Sequence, residues 1–317
     1  MHFDLDDDQQ AISEAVGRIL LSEAGPERVR ALGGDDPRHD DDLAGLLRDQ
    51  GYLGFPFDDG NGPLQAALVV EATAEAAGVV ATGAEALVAP GALPGRTVTG
   101  PVAIAGAGTT APIRFAAAAA SLLVVDGDDV TIVELGPGDT TPVPARFGYP
   151  MALVHRWDAR TIAGAGTAAR SWWRVGLALE LVGTARAALD LTVGHVRDRE
   201  QFGRSIGSFQ GVQHRLAECE VLVQGARWLA LEAAWSRAEA ERSAAALTQA
   251  LRSADRVFWD THQFSGALGF ATEYDLHLWT MRLPALRAEA LAMGSSAAAL
   301  TRRRWGTGAA PSSKVAG

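Results

Sequence analysis

Between residues 210 and 240, apolar residues fall at Val212, Leu216, Cys219, Val223, Ala226 and Ala230. Steps of four and three place all six on one face of a helix. A stripe so long and narrow is buried only against other helices, so this spacing predicts a helical bundle. Residues 243–268 and 275–304 read as at least two more helices of it. From Gly306 onward the chain is rich in Gly, Ala and Ser and reads as a flexible tail.

The N-terminal part is helical as well. Asp6 or Asp7 caps a helix whose apolar stripe runs Ile12, Val16, Ile19 and Leu20. A second helix is expected over 41–50, stopped by Gly51. Residues 55–63, rich in Gly, Asp and Pro, read as a loop, after which Pro63 opens a third helix through Ala77, stopped by Gly78. The acidic clusters Asp6-Asp7-Asp8 and Asp40-Asp41-Asp42 belong to helix starts and solvated loops.

Between these zones the periodicity changes. Residues 102–105, 122–125 and 130–135 are short β-type runs separated by Gly, Pro and Asp, with Gly127-Asp128 as a hairpin turn. The expected fold class is therefore mostly α with a small β insert. It comprises an N-terminal helical domain (1–97), a short middle β domain (98–166), a C-terminal four-helix bundle (167–305) and the tail (306–317).

Composition narrows the function classes. Hydrophobic residues are 48% of 317, enough for a sizeable core. A net charge of −10 argues against nucleic acid or an anionic membrane as partner. The longest near-continuous apolar run, 116–125 with Ser121 inside it, is far short of a membrane span, roughly 18–20 residues. One cysteine, Cys219, excludes an internal disulfide and a cysteine-built zinc site. The acidic N-terminus is unlike a secretory signal, and a cytoplasmic protein is expected.

Gly106-Ala-Gly108-Thr-Thr-Ala111 after an apolar run, with Asp126 twenty positions beyond Gly106, meets the spacing of a dinucleotide-binding turn. Pro112 leaves too little chain for the crossover helix, and no further βαβ units follow. A loop in a small β domain is the better reading.

The most specific text is Arg197-Asp-Arg199-Glu-Gln-Phe202-Gly203-Arg-Ser-Ile206-Gly-Ser-Phe209-Gln210. It resembles the signature of acyl-CoA dehydrogenases, Arg-x-x-Phe-Gly-x-x-Ile-x-x-Phe-Gln, which joins the first two helices of their C-terminal bundle. Gln263-Phe-Ser-Gly266-Ala-Leu-Gly269-Phe270 resembles that family's Gln-x-x-Gly-Gly-x-Gly-Phe. Phe3-Asp-Leu with Gln9-Gln10, and Gln50-Gly51-Tyr-Leu-Gly54, are weaker echoes of its N-terminal domain.

The resemblance implies FAD and an acyl-CoA substrate. Arg199 matches the family arginine that reaches the flavin nucleotide of a neighbouring subunit, and a guanidinium is the fork of donors a pyrophosphate needs. Phe202 matches an aromatic near the adenine half, and Gln210 a polar contact. Gln263 and Gly266 match the loop along the adenosine diphosphate. Taken singly, Arg199 also reads as a surface partner of Glu200 or Asp198, and Phe202 as core.

The family's reaction requires a glutamate as general base. One family position for it falls at Ala290, with Glu289 one place earlier. The other, twenty-six residues before Arg199, is Trp173. Glu180 lies in the apolar run 175–182, where a carboxylate must be hydrogen-bonded, and pairing with an arginine is the expected structural role. Glu180 and Glu289 are thus weak candidates for a catalytic base. The family's flavin-ring loop and Trp-Ile-Thr/Ser strand are also missing.

These retentions and losses resemble the non-catalytic subunit of heteromeric α2β2 acyl-CoA dehydrogenases, such as those of actinobacterial steroid side-chain degradation. The resemblance implies FAD shared with a homologous α-type partner subunit that supplies the base. Two alternatives stand: a self-sufficient homo-oligomeric flavoprotein using Glu180 or Glu289, and a flavin-free scaffold protein.

Overall fold

The computed structural model describes residues 5–57, 62–144, 146–157, 160–294 and 296–306. The echo at Phe3-Asp4, the centre of the 55–63 loop and the tail beyond Gly306 lie outside the described residues.

Helix α1 spans Asp7–Glu23 and begins in a capping box: Asp6 accepts from the Gln9 backbone N–H while the Gln9 side chain accepts from that of Asp6. Helix α2 (Pro26–Leu32) follows, and α3 (Asp41–Asp49) is capped by Asp40, which accepts from the Leu43 N–H. Buried Asp40 also takes a forked pair from Arg28 at 2.8 and 2.6 Å. Both acidic clusters therefore serve as helix starts.

Helix α4 (Gly62–Glu75) is buried along most of its length. A single π-helical turn (Gly83–Val88) runs into α5 (Ala89–Ala92), an element that periodicity did not reveal because nearly all its residues are small and apolar.

Among the described residues seven strands follow: β1 (Val102–Gly106), β2 (Ile113–Arg114), β3 (Ser121–Asp126), β4 (Asp129–Glu134), β5 (Thr140–Pro142), β6 (Met151–Val154) and β7 (Arg160–Ile162). They form a mixed sheet β1-β3-β4-β7 and an antiparallel sheet β2-β6-β5. The β3–β4 hairpin turns at Gly127-Asp128 as expected. β1 and β3 pair in parallel, but the connection between them carries β2 of the other sheet and no helix. Gly106 to Thr109 is a tight turn, with the Thr109 hydroxyl donating to the Gly106 carbonyl at 2.6 Å. The dinucleotide spacing is thus a loop.

Alternation sorts these strands between two cores. Val102, Ile104, Leu123 and Val125 face the helices. Ala103, Ala105, Leu122 and Val124 face the second sheet, with Ile113 and Ala152. Being covered on both sides, the strands read as unbroken apolar runs.

Helix α6 (Gly166–Asp198) has 33 residues, about 50 Å. Its first turn sits on the β3–β4 hairpin, with Arg170 donating to the Gly127 carbonyl and Thr167 to Asp128. A two-stranded ribbon, β8 (Glu200–Gln201) and β9 (Arg204–Ser205), leads into α7 (Gln210–Trp235) and α8 (Ala240–Ser265). On α7, Leu216, Cys219, Val223, Ala226 and Ala230 are buried, so the seam packs as its spacing required. The fourth bundle position is segmented into α9 (His277–Thr280), α10 (Arg282–Ala292) and α11 (Ser296–Trp305) rather than continuous. No helix among the described residues is long and apolar enough to cross a membrane.

The junction of α4 and α6 depends on Gly183. A Cβ there would lie 2.3 Å from the Glu71 carbonyl oxygen and 3.0 Å from the Glu75 nitrogen, both helix backbone. Gly183→Ala is expected to cost about 1–3 kcal/mol by forcing the helices apart. Urea unfolding measures it, and an unchanged midpoint would mean that the contact is soft.

Candidate functional site

The motif residues gather at one end of the bundle. Arg199 ends α6, its N–H donating to His195 and its carbonyl accepting from Ile206. Its side chain is exposed and, among the described residues, has no ion-pair partner. Phe202 and Gly203 turn the β8–β9 ribbon with φ of 57° and 79°. Glycine adopts such angles freely, whereas phenylalanine is strained there. Phe202 is also 92% exposed, which overturns its reading as core.

Gln210, at the start of α7, and Gln263, near the end of α8, are exposed, and Gly266 closes α8 at φ 59°. Arg215 on α7 holds the two helix ends together. It pairs with buried Asp260 and lies over the Phe264 ring at 5.1 Å. Arg199, Phe202, Gln210, Gln263 and Gly266 are thus all surface features.

The two glutamates lie elsewhere. Glu180 is nineteen residues before Arg199 on the same helix, about 28 Å along its axis. Both glutamates meet on Arg114, which the sequence reading did not single out. Period-two alternation at β2 points Ile113 into the small core and Arg114 toward the bundle. Its Nη1 and Nη2 donate to Glu180 at 2.9 and 2.8 Å, and its Nε to Glu289 at 2.8 Å. Trp173 Nε1 donates to Glu289 Oε1 at 2.6 Å. Ala290, the ungapped family position, is buried core.

Tyr149 completes the cluster. Arg114 lies 4.8 Å from its ring centroid, and Arg282, fully buried, lies 4.9 Å from it. Arg282 donates to the Gly78 and Ala77 carbonyls. Two carboxylates and two guanidiniums thus occupy one buried region at charge balance. This is how the protein avoids the cost of isolated buried charges. Burial still pushes the Glu180 carboxyl above its ordinary range, with Arg114 opposing. The sign of Arg114 was legible: it is the only basic residue between 97 and 145, set among Ala, Pro, Ile and Phe.

Beside the cluster, a cavity of about 190 Å³ opens between β1, β2 and α10, lined by Ile104, Ile113, Met151, Ala285, Ala288 and Glu289 among others. The flavin that the motif resemblance implies can be tested against this geometry. The exposed Arg199 guanidinium has the chemistry for a pyrophosphate brought by another chain. The residues of the cleft between sheet and bundle do not fit an isoalloxazine ring, because the donors of Arg114 and Trp173, which its carbonyl oxygens would need, are already spent on Glu180 and Glu289.

Residues 167–300 match the family model of the acyl-CoA dehydrogenase C-terminal domain. The chain is 29% identical over 306 residues to the acyl-CoA dehydrogenase IpdE2 of Mycobacterium tuberculosis, covering 87% of this chain and 91% of that protein. Among solved structures it superposes on a chain of the ChsE4-ChsE5 complex from Mycobacterium tuberculosis. The TM-score is 0.75 at 22% identity, over 96% of this chain and 98% of that one. It also superposes on the Tcur3481-Tcur3483 steroid ACAD with a TM-score of 0.71 at 22% identity, over 93% of this chain and 96% of that one. Together these similarities support the acyl-CoA dehydrogenase family for this chain, which has the acyl-CoA dehydrogenase fold and, over residues 167–300, that family's C-terminal domain.

Proposed function

We propose that this chain is the non-catalytic subunit of a flavin-dependent acyl-CoA dehydrogenase that desaturates the α,β bond of an acyl-CoA thioester. A homologous α-type partner supplies the base and most of the FAD site, in an α2β2 heterotetramer. The observation that carries the reading is the occupied cleft. Trp173 stands at one family base position, and Glu289, beside the other, is held by Arg114 and Trp173. A carboxylate so held, with Glu180 sharing the same arginine, has no freedom to collect a substrate proton.

This chain's contribution is then the surface end of the bundle: Arg199 to the FAD pyrophosphate, Phe202 beside the adenine, and Gln210, Gln263 and Gly266 along the nucleotide. The exposure and backbone strain of Phe202 support a contact made across an interface. The shared fold of the two-component ChsE4-ChsE5 complex and of the steroid Tcur3481-Tcur3483 pair favours a heteromer and a steroid side-chain thioester.

Purified alone, the chain is expected to lack flavin absorbance. Co-expressed with its acyl-CoA dehydrogenase partner it is expected to yield a yellow complex, and Arg199→Ala to reduce the flavin retained by about tenfold or more. A yellow, active homo-oligomer would sink the proposal. Undiminished FAD in the Arg199→Ala complex would favour the scaffold reading.

A further inference from the structure

The cavity between β1, β2 and α10 has no role in that proposal. Its volume, about 190 Å³, exceeds the roughly 150 Å³ at which an engineered apolar cavity takes up benzene. Ile104, Ile113, Met151, Pro284, Ala285 and Ala288 supply apolar wall. The polar end is formed by Arg114, Trp173 and Glu289, bonded to one another, and Thr109 is a further polar side chain of the lining.

The hydrogen-bond inventory of that end is one-sided. Trp173 has a single N–H, spent on Glu289. Four of the five N–H groups of Arg114 go to the two glutamates. The hydroxyl proton of Thr109 goes to the Gly106 carbonyl. Glu289 Oε2 accepts only from Arg114 Nε, so the carboxylate keeps lone-pair capacity. Its side chain is 14% exposed, against 6% for Glu180, so it is the accessible carboxylate of the pair. Because Glu180 and Glu289 are balanced by Arg114 and Arg282, a charged ligand would bring an uncompensated charge into an apolar cavity.

We infer that this cavity binds a neutral, ring-sized apolar molecule carrying a hydroxyl, whose O–H donates a hydrogen bond to Glu289 without transferring the proton. A bare carbonyl ligand finds almost no free side-chain donor there, so the site is separate from thioester chemistry. It also stands without the partner subunit.

Benzyl alcohol, benzaldehyde and benzoate share a phenyl ring with a one-carbon substituent and differ in the oxygen group presented. Titration calorimetry on the full chain is expected to give benzyl alcohol a Kd at least about tenfold below that of benzaldehyde, the scale of one hydrogen bond to a charged group. Benzoate is expected not to bind. Ala288→Phe, on the exposed side of α10, fills the cavity and leaves the cluster intact. It is expected to weaken benzyl alcohol at least tenfold at an unchanged thermal midpoint. Equal affinity for alcohol and aldehyde, binding of benzoate, binding that survives Ala288→Phe, or no binding of the alcohol would each overturn the inference.

Discussion

Arg114→Met is expected to lower stability by about 3–5 kcal/mol, the cost of leaving buried carboxylates without their cation. Glu180 and Glu289 would then face only Arg282 across the Tyr149 ring. The loss is expected to depend on pH. Burial already holds the Glu180 carboxyl above the ordinary 4.5, and Arg114 is the largest influence pulling it down. A carboxyl raised in the folded state binds its proton more tightly there than in the unfolded chain. Its contribution to stability is therefore full below pH 4.5 and lost as pH rises through the raised value. Removing Arg114 widens that window upward, so the deficit against the native chain is largest near neutral pH and shrinks in acid. Adding Glu180→Gln and Glu289→Gln to Arg114→Met is expected to recover much of the loss. Urea unfolding at pH 4.5 and 7.5 reads all of this. A deficit independent of pH, or below about 1 kcal/mol, would mean that the cluster is not an electrostatic unit.

Trp173→Ala is expected to cost a further class of energy, about 3–5 kcal/mol, through lost burial and an enlarged cavity. The residue is only 5% exposed, and it walls both the cluster and the cavity. Trp173→Phe separates the two components. It keeps most of the ring volume and removes the N–H to Glu289, so a smaller loss of about 1–3 kcal/mol is expected. Should both variants unfold at the native urea midpoint, Trp173 would be an occupant of the cleft and not a support of it.

Much of the architecture was legible beforehand because its signals are local. The seam of α7 needs only residues within a few turns of each other, and the Asp6–Gln9 capping box only three positions. The β3–β4 hairpin is written in two turn residues. What escaped was the segmented run from α9 to α11, and the π-helical turn with α5, where small apolar residues carry no clear period. Arg199, Phe202, Gln210, Gln263 and Gly266 were singled out by motif spacing alone, and their common place at one bundle end follows from the packing of α7 on α8.

The sequence by itself determined the order of helical and β zones, the bundle seam, and that Trp173 and Ala290, not carboxylates, stand at the two matched positions. It also required that Glu180 find a polar partner, since a lone carboxylate in an apolar helix is too costly to bury. Which partner was a matter for the tertiary structure alone. Arg114 stands 66 positions from Glu180 and 175 from Glu289. No periodicity spans such separations. Only the docking of β2 against α6 and α10, set by strand alternation and by the fit of sheet on bundle, joins the two glutamates on one arginine and leaves the cavity beside them.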